Sequence, residues 1–157
     1  MTAGTGPVVL DGPDEVRAAA GRHFGFSDWV EVTQEQVDRF AEATGDFQWI
    51  HVDVERAKRE SPYGGPIAHG YLTMSMSNGL VPTVVLIDGF AMGINYGVDR
   101  VRFPAAVPVG SRVRAGVELV EVTEVAGGLQ TRMQVTMEVE GSEKPACVIE
   151  ALSRFIV

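Results

Sequence analysis

Asp46 and His51 stand five residues apart in the segment Gly45-Asp-Phe-Gln-Trp-Ile-His51. A carboxylate and an imidazole suit proton transfer near neutral pH, because histidine titrates near ~6.5 and a carboxylate can be tuned upward by its surroundings. A bend over so short a gap would turn both side chains toward one water molecule. The competing use is structural: Asp46 satisfying turn amides and His51 packed as an ordinary histidine. Spacing alone favours the structural use. His51, Asp53 and His69 also raise the question of a metal site. His-x-Asp is a common spacing, however, and no cysteine pair or His-Glu-x-x-His supports it. No metal is expected.

Ile67-Ala-His-Gly70 is the second point of interest. If Gly70 opens a helix, its free amide points outward at the positive end of the helix dipole. A carbonyl oxygen gaining negative charge could be held there, and the missing side chain lets it come close. Close packing of the helix on a sheet would explain the glycine equally well. Asn78 lies in the apolar stretch that follows, and an amide is costly to bury, so it is expected to face a cavity or a partner. Ser75 and Ser77 are expected to bond back to the preceding turn. Arg100, Arg102, Arg112 and Arg114 recur at i, i+2 spacing, where phosphate binding and plain solvation both remain open. The chain has no Gly-x-Gly-x-x-Gly, no phosphate-loop lysine motif and no Gly-x-Ser-x-Gly elbow. Dinucleotide binding, nucleotide hydrolysis and serine hydrolysis are therefore unsupported.

The elements that must position these groups can be read from local pattern. Thr33 and Gln36 have the spacing of a capping box and start a helix whose Val37, Phe40 and Ala41 share one face and which ends at Gly45. A helix is predicted over 13–21, a strand over 28–32, a connection over 46–53, a helix over 54–60 and a loop over 61–66. Residues 70–81 carry no charged side chain; they are predicted as a helix buried on most sides and stopped by Pro82. Strands follow over 90–103, bent near Gly93 or Gly97, and over 112–122, 130–140 and 145–157. Met133, Val135, Met137 and Val139 alternate with Arg132, Gln134, Thr136 and Glu138, the period of a half-buried antiparallel strand. The sum is one α+β domain over 13–157, an antiparallel sheet curled on an apolar helix, behind a flexible tail over 1–12. Such a sheet leaves an edge open, so a dimer with joined sheets is expected.

Composition narrows the classes further. The 157 residues suit a single domain, and the 45% hydrophobic content supplies a core. A net charge of −8 argues against general nucleic-acid binding, which needs a basic face to displace phosphate counterions. No apolar run approaches the ~20 residues that span a bilayer, and the first residues lack the features of a secretory signal. The single Cys147 cannot form an intramolecular disulfide. The cytoplasm is the expected location, with neither membrane nor nucleic acid as partner.

Three separated blocks carry a family resemblance. Ala43-Thr-Gly-Asp-Phe-Gln-Trp-Ile-His51, Pro66-Ile-Ala-His-Gly70 and Ile94-Asn-Tyr-Gly-Val-Asp-Arg-Val-Arg-Phe-Pro-Ala-Ala-Val-Pro-Val-Gly110 occur in order. Together with Val139-Glu-Gly-Ser-Glu-Lys-Pro-Ala-Cys147, the chain resembles the MaoC-like dehydratase family, which includes the (R)-specific enoyl-CoA hydratases. The resemblance covers residues 25 to 157 and is nearest to the single-domain actinobacterial and nodulation-protein-N-like branch. It implies a hot-dog fold, a homodimer and a lyase activity, the reversible hydration of trans-2-enoyl-CoA to (3R)-hydroxyacyl-CoA in fatty-acid metabolism. By the same resemblance Asp46 and His51 match the catalytic pair, and Gly70 the amide that receives the thioester carbonyl. Gln48, His69, Asn78 and Phe103 are the implied substrate-binding positions. Gln48-Trp49 replaces the family's common Asn-Pro, and Ala106 a proline after the Arg-Phe pair. CoA enters as part of the substrate, and no separate cofactor is implied. The rivals are a hot-dog acyl-CoA thioesterase, a non-catalytic acyl-binding or assembly subunit, and a dehydratase acting on another CoA intermediate or on an acyl-carrier protein.

Overall fold

The alternation in the second half of the chain becomes three long antiparallel strands in a computed structural model, which describes residues 6–157. These are β6 (Arg112–Val125), β7 (Gly128–Val139) and β8 (Cys147–Ile156). β2 (Arg22–Phe26) pairs with β6 and β5 (Met92–Arg102) with β8, giving the order β2-β6-β7-β8-β5, while the short β3 (Val30–Glu31) also pairs with β6. Every second residue of β7 from Leu129 to Val139 is buried, as are Val113, Ala115, Val117 and Leu119 of β6. Successive side chains of a strand point to opposite faces, so these residues coat one face of the sheet. Helix α5 (Gly70–Val84) packs across that face against β6, β7 and β8. A sheet wrapped on one helix is the α+β hot-dog fold.

The helices ahead of α5 are placed by their caps. In α2 (Gln34–Thr44) the Thr33 hydroxyl accepts from the Gln36 amide while the Gln36 side chain accepts from the Thr33 amide. Such a cap contributes about 1 kcal/mol. Gly45 ends α2 in the left-handed region at φ 77°, a conformation that costs glycine nothing. The chain turns there, and Asp46 is the next residue. A single-turn helix, α3 (Trp49–Val52), follows within the predicted connection, and the Asp53 side chain caps α4 (Val54–Glu60). The Gln34 amide donates to Asp38 and, at 2.8 Å, to the His51 carbonyl, tying α3 to the start of α2.

Several elements differ from the sequence pattern. Of the tail expected over 1–12, residues 1–5 lie outside the described residues, but Val8–Asp11 is a strand, β1. It pairs in parallel with β4 (Val85–Asp88), and Gly12 already opens α1 (Gly12–Ala18). Leu10 is buried there, an apolar residue whose partners lie far along the chain. β2 and β4 escape local pattern: β2 is short and its register is broken between His23 and Gly25, and β4 simply continues the apolar run of α5. The strand expected over 28–32 is only Val30–Glu31. Pro82 does not stop α5, which runs to Val84. In the last turn its missing N–H forfeits one bond to the Asn78 carbonyl, on an exposed side of the helix. Nor is α5 buried on most sides. Thr73, Leu80 and Val84 face the sheet, whereas Tyr71, Ser75, Asn78 and Pro82 form an exposed stripe at helical spacing. Among the described residues no helix is long and apolar enough to cross a membrane.

Candidate active site

His51 lies on α3 with 8% of its surface exposed. Its Nδ1 is 2.7 Å from the Ile67 carbonyl oxygen. A carbonyl can only accept, so Nδ1 carries the proton and Nε2 keeps a lone pair. Burial pushes the imidazole below its ordinary titration range, and the neighbouring His69 adds to this. The Ile67 hydrogen bond and the Asp46 charge oppose it without cancelling it. At pH 7 His51 is a neutral base.

Asp46 sits just past the left-handed Gly45, its side chain half exposed. One carboxylate oxygen accepts from the Gln48 amide at 3.3 Å. A carboxylate oxygen of Asp46, a ring nitrogen of His51 and one of His69 all lie within 4.8 Å of one another. Two hydrogen bonds of about 2.8 Å each reach across such a gap, so one water fits between the carboxylate and His51.

Gly70 is the first residue of α5, and its N–H has no protein acceptor among the described residues. The Phe103 ring lies so near that a side-chain carbon on Gly70 would come within 3.2 Å of it. His51, Gly70 and Phe103 border two hollows. One, of about 350 Å³, is also lined by Phe40, Asp46 and Tyr71. The other, of about 200 Å³, is also lined by Tyr63, Thr73 and Ala106. Asp46, His51, Gly70 and Phe103 thus come together from three separate stretches of chain.

The remaining positions fare differently. Gln48 contributes its backbone amide to Asp46, while its side chain is exposed and borders neither hollow. Asn78 accepts from Asn95 at 3.3 Å and lines a separate hollow of about 250 Å³ with Met74 and Tyr96. Eight residues of helix beyond Gly70 place it about 12 Å along the axis, so it is not brought to Asp46 and His51. His69 borders the larger hollow but is buried, its ring stacked on His51 at a centroid distance of 3.9 Å. Nitrogens of two rings stacked face to face do not aim their in-plane lone pairs at one ion about 2.1 Å from each. Asp53 is spent on the α4 cap. Arg112 is paired with Glu140, just past β7, and Arg114 with Glu138 of β7, and neither borders the hollows around His51. Sequence pattern had no signal for the Ile67 carbonyl or for Gln34, both of which orient His51 through long-range contacts; Tyr71 was detectable as the neighbour of Gly70.

The MaoC like domain family model matches residues 15–142. Over 143 residues the chain is 51% identical to 3-hydroxyacyl-thioester dehydratase Z of Mycobacterium tuberculosis, a match spanning 90% of this chain and 94% of that protein. It is 45% identical to nodulation protein N of Rhizobium leguminosarum bv. viciae, covering 84% of this chain and 83% of the relative. The X-ray structure of a monoamine oxidase regulatory protein from Archaeoglobus superposes with a TM-score of 0.75 at 24% identity, over 98% of this chain and 96% of that one. With the matched domain spanning most of the chain and half the residues shared with a named dehydratase, the protein belongs to the MaoC-like dehydratase family.

Proposed function

We propose that the protein is a hydro-lyase that interconverts trans-2-enoyl and (3R)-3-hydroxyacyl thioesters of CoA. The observation that carries this reading is the convergence of Asp46, neutral His51 and the unpaired Gly70 N–H on one hollow. A water held between Asp46 and His51 delivers hydroxide to C3, and its proton reaches C2 on the same face through the pair. Electron density moves from the C2–C3 double bond onto the thioester oxygen, where the Gly70 N–H at the helix start stabilises the enolate. Return of that density forms the C2–H bond. Oxidation states balance without a redox cofactor, and CoA is carried by the substrate. The R configuration follows the family to which the chain belongs. The 51% identity to a 3-hydroxyacyl-thioester dehydratase supports the choice over a thioesterase. The lone, buried Cys147 suits a cytoplasmic location.

The test is incubation with trans-2-enoyl-CoAs of several lengths, followed by chiral analysis of the product. A 3R alcohol supports the reading. Release of free thiol would make the protein a thioesterase, and binding without turnover would make it an acyl-binding subunit.

The proposal includes a homodimer. β5 is an edge strand with Met92, Ile94, Tyr96 and Val98 all exposed, and a hydrogen bond from Asn95 to Asn78 joins it to the exposed stripe of α5. An open apolar edge is a template for pairing with another strand. Light scattering is expected to return twice the 16.9 kDa chain mass; a monomer at micromolar concentration would refute it.

Gly70→Ala probes the enolate site. The added carbon lies 3.2 Å from Phe103, so the ring or the bound thioester must shift. We expect kcat/KM to drop by about tenfold or more, with no loss of thermal stability. Alanine keeps the N–H, so unchanged kinetics would show that no thioester packs closely against the Gly70 Cα, which would overturn the proposed close approach.

A further inference from the structure

Hydration as proposed leaves one buried titratable side chain beside the pair without a task. His69 is 3% exposed. Its Nε2 lies 3.0 Å from the Asp46 carbonyl oxygen, so Nε2 carries the proton and donates. Its Nδ1 is then a bare acceptor, buried with no partner among the described residues. One face of the ring stacks on His51 with 27° between the planes, and the Phe40 ring of α2 lies 4.9 Å away, tilted. The backbone of the same residue caps α5, its carbonyl accepting from Thr73 at 3.2 Å. Gly70 follows directly.

We propose that His69 is a positioning residue that holds all three groups of the site in register. Its N–H holds the main chain of Asp46, its face holds the His51 ring, and its backbone sets where α5 and the Gly70 amide begin. Asp46 needs such a tether. It follows a turn at Gly45, it is exposed, and its side chain has a single weak bond, to the Gln48 amide. Packing alone does not account for an imidazole here. A phenylalanine would fill the space and stack as well, without leaving a buried nitrogen unpaired, a costly feature in a protein interior. What phenylalanine cannot supply is the hydrogen bond to the Asp46 carbonyl. Nor does His69 act on substrate through its ring nitrogens: one is committed to Asp46 and the other is buried.

The test compares His69→Phe with His69→Gln. Phenylalanine keeps the ring and loses the donor, whereas glutamine loses the ring and keeps an N–H. Misplacing a reacting group by 1 Å costs about a hundredfold in rate. His69→Phe is therefore expected to lower kcat for enoyl-CoA hydration by about a hundredfold with KM within about threefold of the parent. His69→Gln is expected to recover at least about tenfold of that loss. A phenylalanine variant with near-normal kcat, or a glutamine variant no better than it, would overturn the assignment. This kinetic arm rests on the hydration reading; a second arm does not. Nitrogen-15 spectra of the histidine side chains in the unaltered protein should show His69 protonated at Nε2 and bare at Nδ1, with His51 protonated at Nδ1. A bare Nε2 on His69 would sink the clamp whatever the enzyme's activity. An inactive but correctly protonated protein would instead count against hydration alone.

Discussion

Asp46→Asn is expected to lower kcat for enoyl-CoA hydration by about a thousandfold while the fold survives. The two halves of this expectation have separate grounds. Asp46 is exposed, and its carboxylate serves the structure only by accepting from the Gln48 amide, which the side-chain oxygen of asparagine can still do. Thermal unfolding should therefore change by no more than about 3 °C. The charge, by contrast, is what orients and polarises the water facing His51, and an amide cannot accept its proton. Loss of the enoyl absorbance measures the rate, and the denaturation midpoint measures the fold. An Asp46→Asn protein that turns over within tenfold of the parent would strip this residue of its proposed role.

His51→Gln carries the second large effect, a loss of between about a hundredfold and ten-thousandfold in kcat. Because burial holds His51 below its ordinary range, the acid limb of the parent's rate profile should lie below ~6.5, the usual histidine value. The linkage has a definite sign. The unfolded chain binds the proton more readily than the folded one, so the stability His51 contributes is present above ~6.5 and is lost as pH falls through its folded value. In the glutamine variant both the rate limb and this part of the acid destabilisation should vanish. If the weak residual activity keeps the parent's acid limb, some other group titrates there. Glutamine retains a side-chain N–H that can donate to the Ile67 carbonyl, so the comparison removes the base while preserving a hydrogen bond that anchors α3.

Pattern located what is local. The capping box of α2, its left-handed exit at Gly45 and the burial alternation of β7 were all legible, because each depends on residues two to four positions apart. β5 was legible too, with a break in register beside Gly97. The parallel pairing of β1 with β4 was not, since nothing near Val8 announces a partner at Val85. The half-bare surface of α5 was likewise invisible. Its residues are uncharged all round, and only the path of the sheet decides which side is covered.

The candidate site divides in the same way. Residue types and a five-residue gap raised Asp46 and His51 as a pair without deciding for proton transfer; the family resemblance gave them the catalytic role and added Gly70, Gln48, His69, Asn78 and Phe103 around them. Chain order alone, however, carries no information about which of these meet. The hydrogen bond from His51 to the Ile67 carbonyl, the His69 ring stacked on His51 and bonded to the Asp46 carbonyl, and the Phe103 ring over Gly70 each join stretches at least sixteen residues apart. The same folding removed Asn78, which a straight helix carries about 12 Å away from Gly70. Amino-acid order thus determined the chemistry on offer and the helices and strands bearing it, through short-range periodicity and capping. The protonation of His51, and the company it keeps, were settled only when α3 docked against the entry to α5, because burial and long-range hydrogen bonds exist only in the folded chain.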